Sequence, residues 1–145
     1  MDKDKKYKQK VVLVGGCFDV LHPGHIIFLE KAKKEGDKLV ILLESDEKIR
    51  KIKGEDRPIH TQKERALVLK ALKYVDCVIE LPFMDTEKEY DALTQRIRPD
   101  IIAVTYKDPE NHHKKRTAKL IGAKLKYVTK IIGKHSTSRI LKHEN

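Results

Sequence analysis

Five short apolar runs recur along the chain, and the stretches between them change to helical spacing. The runs are VVLVGG (11–16), KLVILLE (38–44), DCVIELP (76–82), DIIAVTY (100–106) and Lys124–Val128. Runs this short and this continuous suit strands covered on both faces. From Pro23 to Glu35 the apolar residues Ile26, Ile27, Leu29 and Ala32 repeat at roughly helical spacing, and Gly36 stops that helix in a C′ position. Ser45 or Asp46 can cap a short helix, and Lys53 to Pro58 reads as a loop. Thr61 with Glu64 three residues on forms a capping box, and Ala66, Leu67, Leu69, Ala71 and Leu72 can then face a core. Further helices are expected over Glu87–Ile97, ending before Pro99, over His112–Ile121, and after a cap at Ser136. Strands alternating with helices specify a parallel α/β sheet. At 145 residues, with no linker-like stretch, the chain reads as one domain, residues 11–145, behind a basic tail of residues 1–10.

In such a sheet, ligands bind beyond the carboxyl ends of the strands, near the point where strand order reverses. The stretch VVLVGGCFDVLHPGH (11–25) occupies that kind of place, leaving the first strand and entering the first helix. Pro23 suits a first helical turn because it lacks an N–H that would be unsatisfied there. Gly24 has no side chain to block a ligand approaching the backbone. A helix N-terminus adds exposed N–H donors and partial positive charge. His22 and His25 on that terminus complete a compact donor cluster, and the ligand matching it best is a phosphate. Zinc fits less well, since no third ligand stands at convincing spacing and HPGH is not an i, i+4 pair.

The net charge of +10 would attract nucleic acid, an anionic membrane surface or small phosphorylated substrates. The lysines run along the whole chain; the clusters Lys3–Lys10 and His112–Arg116 read as a tail and a solvated face. With three Phe, five Tyr and no Trp, no base-stacking motif supports an RNA-binding module, so nucleic acid is not an expected partner. No apolar run approaches the roughly 18 residues of a membrane span. The charged first ten residues do not resemble a signal peptide. Two cysteines, Cys17 and Cys77, are too few for a disulfide framework, so reduced thiols and a cytoplasmic location are expected.

Gly16-Cys17-Phe18-Asp19 followed by His22-Pro23-Gly24-His25 resembles the HxGH signature of the cytidylyltransferase-like nucleotidyltransferases. Residues 53–82, KGEDRPIHTQKERALVLKALKYVDCVIELP, are similar to the segment after the second strand in glycerol-3-phosphate cytidylyltransferases and in the adenylyltransferase domain of ADP-heptose synthases. HSTSRI (135–140) resembles their C-terminal ISTT-K-I motif, and archaeal-type FAD synthases share the plan. The likeness spans about residues 11–141. It implies a single Rossmann-like α/β domain with a five-stranded parallel sheet of order 3-2-1-4-5. It also implies a reaction of CTP or ATP, accompanied by Mg²⁺, with a small phosphate ester such as glycerol 3-phosphate, a sugar phosphate or FMN. By the same resemblance His22, His25 and Lys53 act on the phosphates, His25 at the α-phosphate in the transition state. Gly16, Cys17, Phe18, Gly24 and Asp108 border the nucleotide. Arg65 contacts the nucleotide, and Asp19 orients a histidine or a metal-bound water. Ser136, Thr137 and Ser138 hold the β- and γ-phosphates.

The chain departs from the family's pattern in two places. Where the glycerol-phosphate enzymes carry an arginine before the ISTT motif, this chain reads Ile131-Ile132-Gly133-Lys134-His135. After the fourth strand, relatives carry Gly-Asp; here Thr105-Tyr106-Lys107-Asp108 follows, with Asp108 in the acidic position and Tyr106 able to stack on a base or a flavin. Both places bear on substrate choice, so the base and the acceptor stay open, as does a pocket that senses nucleotide without turnover. The family commonly forms homodimers. Ile26, Ile27, Phe28 and Leu29 in succession exceed what one buried helix face absorbs, which agrees with a two-fold partner unless the C-terminal helix covers the excess.

Overall fold

The computed structural model describes residues 8–106 and 108–130. Five parallel strands form one sheet in the order β3-β2-β1-β4-β5. They are β1 (Val11–Gly16), β2 (Lys38–Leu43), β3 (Cys77–Glu80), β4 (Ile101–Thr105) and β5 (Lys124–Thr129). The helices are α1 (Pro23–Lys34), α2 (Asp46–Lys53), α3 (Gln62–Lys70), α4 (Glu87–Ile97) and α5 (Asn111–Ile121). The helix expected after Ser136 lies outside the described residues.

Strand alternation divides the core between the two faces of the sheet. Val12, Val14, Leu39, Ile41 and Leu43 point to one face and pack with Phe28, Leu29 and Ala32 of α1 and Ala66 and Leu69 of α3. Leu13, Val40 and Leu42 point to the other and meet Leu81, Met84 and the Tyr90, Leu93 and Ile97 side of α4. Ile102 and Val104 meet Ala118 and Ile121 of α5. On α3 the buried face is Arg65, Ala66 and Leu69, one helical stripe; Leu67, expected toward the core, falls on the opposite side and is 71% exposed.

Two local details differ from what residue types alone suggest. Gly36 does stand one residue past the C-cap Glu35 of α1, but its backbone is not left-handed. A Cβ there would lie 2.7 Å from the Lys10 carbonyl oxygen and 2.8 Å from a Val12 methyl, so glycine is required by close approach to the start of β1. Phe18, by contrast, does have a left-handed backbone, with φ of 45°. That conformation costs a bulky residue about 1–2 kcal/mol.

The register places the cleft. β1 pairs with β2 along its whole length, Val11 to Gly16 against Lys38 to Leu43. Against β4 only Val12 and Leu13 pair, with Ile101 and Ile102. Beyond Leu13 the two central strands no longer share a ladder, and that is where strand order reverses.

Candidate active site

A cavity of ≈ 890 Å³ opens there, lined by Gly15, Gly16 and Cys17 of β1 and its exit, by Val104 and Thr105 of β4, and by His25 and Phe28 of α1. Lys48 and Lys53 of α2 and Tyr90 of α4 close it from the sides. The size suits a nucleotide-sized ligand.

The two histidines start α1 themselves. His22 is the N-cap, and its Nδ1 accepts the Gly24 N–H at 3.1 Å. His25, at the third helical position, returns the favour: its Nδ1 accepts the His22 N–H at 3.3 Å. This is a capping box built from imidazoles in place of the usual Ser/Thr and Glu/Gln pair. A ring nitrogen that accepts an N–H holds a lone pair, so each ring carries its proton on Nε2. The rings stack with centroids 3.8 Å apart, and the Phe18 ring lies 5.6 Å from that of His25. Burial, then the neighbouring His22 and Lys53, push the His25 pKa down to about 4. At neutral pH His25 is an uncharged Nε2–H donor at a helix N-terminus, with Lys53 supplying the formal charge.

Lys53 is the last residue of α2, not part of a loop, and its ammonium faces the cavity. Gly16 ends β1; a Cβ on it would lie 3.0 Å from the Phe18 ring. Gly24 is buried in the first turn of α1. The Cys17 thiol is pushed up by burial, with Lys53 opposing, and so stays protonated at neutral pH. Asp108 lines the cavity, and its Oδ1 accepts the Glu110 N–H at 2.8 Å ahead of α5. Tyr106 is 51% exposed and packs edge-on against Tyr127, centroids 5.6 Å apart. Ser136, Thr137 and Ser138 lie outside the described residues.

Two expectations need correction. Asp19 does not orient a histidine. Its carboxylate accepts Arg57 Nε at 2.9 Å and the backbone N–H groups of Ile59 and His60 at 2.8 to 3.0 Å. It ties the segment after α2 to the exit of β1. Burial pushes its carboxyl up, but the His60 and Ile59 amides and Arg57 outweigh that and hold it below the usual range. Arg65 does not reach the cavity. Its side chain is fully buried, with Nε on the His60 carbonyl, one terminal nitrogen on the Cys17 carbonyl and the other on Asp46 at 2.7 Å. An arginine whose fork is filled by the fold braces the exit of β1 from behind.

In the HHKKR cluster, His113 and Arg116 tie two helices together, while Lys114 lines the cavity. His113 meets Glu87 at 2.6 Å, and Arg116 meets Glu87 and Asp91, so α5 clasps α4. Sequence reasoning missed Glu44 and Tyr90, which face the cavity. The available signal was a carboxylate directly after the second apolar run, at the carboxyl edge where ligands bind.

Comparison with known proteins agrees with this geometry. A family model described as Cytidylyltransferase-like matches residues 13–142. The bifunctional protein HldE of Helicobacter hepaticus is 39% identical over 139 residues, which is 96% of this chain and 27% of that protein. HldE of Wolinella succinogenes is 47% identical over 94 residues, 65% of this chain and 19% of that protein. The chain thus spans about a fifth to a quarter of the length of these relatives. A lipopolysaccharide core biosynthesis protein from Thermoplasma volcanium superposes with a TM-score of 0.71 at 30% identity, covering 86% of this chain and 99% of that one. A pantoate-beta-alanine ligase from Francisella tularensis, with a TM-score of 0.55 at 19% identity over 82% of this chain and 58% of its own, shares the fold. Sheet order, the imidazole-capped helix and the matched span together establish that the chain belongs to the cytidylyltransferase-like family of nucleotidyltransferases.

Proposed function

We propose that the protein joins a nucleoside triphosphate to a small sugar or polyol phosphate. An oxygen of the acceptor's phosphate forms a bond to the α-phosphorus, the bond from that phosphorus to the β-bridging oxygen breaks, and pyrophosphate leaves with the electron pair. The observation that carries this reading is the imidazole-capped start of α1 in the cleft where β1 and β4 part: His25 and Lys53 line the cavity, and His22, buried beside them, caps the helix. Such a set suits in-line transfer, where positioning and charge compensation are most of the catalysis. His25 and Lys53 face phosphate oxygens, and His22 holds the turn from behind through its cap. Among the described residues no group of three or more His, Cys, Asp or Glu could hold a metal ion. Mg²⁺ would arrive with the triphosphate and offset its charge, with His25 and Lys53 holding the phosphates. The saccharide in the name of the Thermoplasma relative favours a sugar phosphate as acceptor.

The test is a matrix of the four ribonucleoside triphosphates against glycerol 3-phosphate, hexose and heptose 1-phosphates and FMN, with product masses measured. We expect one nucleotide with a sugar or polyol phosphate to give an NDP-linked product and equimolar pyrophosphate. Turnover with FMN alone would replace this reading by FAD synthesis, and pyrophosphate release from no pair would remove it.

The same reading includes a cytoplasmic homodimer. No helix among the described residues is long and apolar enough to cross a membrane, and both cysteines are free. On α1, Phe28 and Leu29 are buried while Ile27 stays 46% exposed, an apolar surface that a two-fold partner would cover. Light scattering at low micromolar concentration and moderate salt is expected to give twice the 16.8 kDa chain mass. A monomer unchanged by nucleotide would rule the dimer out.

A further inference from the structure

The cavity holds one group that phosphate chemistry does not use. Glu44 directly follows β2, and its N–H donates to the Gly16 carbonyl at 3.1 Å, which pins it beside the exit of β1. Its side chain lines the cavity, and both its carboxylate oxygens lie within reach of one donor, the Tyr90 hydroxyl, at 3.0 and 2.9 Å. A carboxylate has about four lone-pair sites. One phenol hydrogen holds the group in place, and among the described residues no other hydrogen bond reaches its carboxylate.

A carboxylate here repels a phosphate, so this part of the cavity is unsuited to the triphosphate. Two kinds of ligand group remain, a cation or neutral hydroxyls. Lys48 bears on the point. Its Nζ sits 3.1 Å from the Met84 carbonyl and 5.5 Å from the Tyr90 ring centroid, and Lys114 lines the same cavity. A cationic head group would meet both ammonium groups. Neutral hydroxyls would meet a held acceptor on one side and ammonium donors on the other.

We propose that Glu44, held by Tyr90, accepts hydrogen bonds from hydroxyl groups on the body of the acceptor, and so selects polyhydroxylated phosphate esters over amine-bearing or aromatic ones. This rests on the transfer reading above. Glu44 is a specificity residue, and Tyr90 positions it.

The experiment compares wild type with Glu44→Gln, and with Tyr90→Phe as a second variant that keeps the carboxylate. Each is assayed with the acceptor found in the matrix, with a monodeoxy series of that acceptor, and with the ribo- and 2′-deoxy forms of the nucleotide. Thermal melting verifies the fold of each variant. Glu44→Gln is expected to raise the acceptor KM by about 10–100-fold, the range for losing a hydrogen bond to a charged group. Nucleotide KM and kcat at saturating acceptor should stay within about threefold. One deoxy acceptor should lose as much with wild type and lose nothing further with Glu44→Gln, a non-additivity that a structural role would not produce. Tyr90→Phe should raise the acceptor KM by a smaller factor in the same pattern. An unchanged acceptor KM in Glu44→Gln overturns the proposal and leaves the transfer reading intact. So does a penalty that falls on the 2′-deoxynucleotide, which would place the hydroxyl on the nucleotide's ribose. Absence of product from wild type with every acceptor overturns the transfer reading, and this one with it.

Discussion

Replacing His25 with alanine is expected to lower turnover by about 10²–10³-fold, the range for losing one preorganised donor to a transition-state oxygen. The nucleotide KM should change much less, because Lys53 and the helix N-terminus still face the phosphates. The substitution also removes half of the capping box, since His25 Nδ1 accepts the His22 N–H. A stability loss of about 1 kcal/mol should accompany it. His25→Glu separates the two effects: glutamate at this position is a normal capping partner, so the melting temperature should recover while turnover stays low. Steady-state kinetics giving near-native turnover for His25→Ala would sink the assignment.

The second large effect is on stability. Asp19→Ala should destabilise the fold by about 3–5 kcal/mol, the cost of breaking a buried ion pair from one side. Arg57 is 7% exposed and would keep its charge without the carboxylate, and the Ile59 and His60 amides would lose their acceptor. Urea unfolding measures this directly; a loss below about 1 kcal/mol would mean that the segment is held by something else. The acid side of the stability profile should change as well. The folded Asp19 carboxyl lies below its unfolded value of about 3.9. Its contribution is whole above that value and is lost as pH falls through the folded one, so the variant should show a shallower loss below about pH 4.

Element positions were largely legible because burial on both faces leaves an unmistakable pattern. VVLVGG is the first strand residue for residue, and Glu87–Ile97 the fourth helix. The capping box at Thr61 and Glu64 forms as the residue types require. The histidine turn was legible as the start of the first helix at the carboxyl edge of the sheet, although its capping role was not: H-x-x-H has the spacing of a capping box, but imidazoles are not its usual members. Asp19 and Arg65 were misjudged for a different reason. A charged residue beside a ligand loop reads as a ligand contact, and only the fold shows whether its polar atoms face inward. Arg65 meets two carbonyls and a carboxylate from three separate segments, none of them deducible from its place on a helix. Leu67 shows the same limit for apolar residues, since α3 has room in the core for one stripe only.

The imidazole cap also decides who carries the protons. Because backbone amides occupy both Nδ1 atoms, each neutral ring carries its proton on Nε2, and the His25 ring lines the cavity already protonated there. On the transfer reading proposed above, nothing then has to be ionised, abstracted or returned by His25 in each cycle. Control of the rate near neutrality therefore passes to the acceptor, whose phosphate becomes a competent nucleophile on losing its second proton at a pKa of about 6. On that reading, a cell running this chemistry would tune its throughput through the ionisation of the ester it supplies, while His25 stays uncharged through modest acidification.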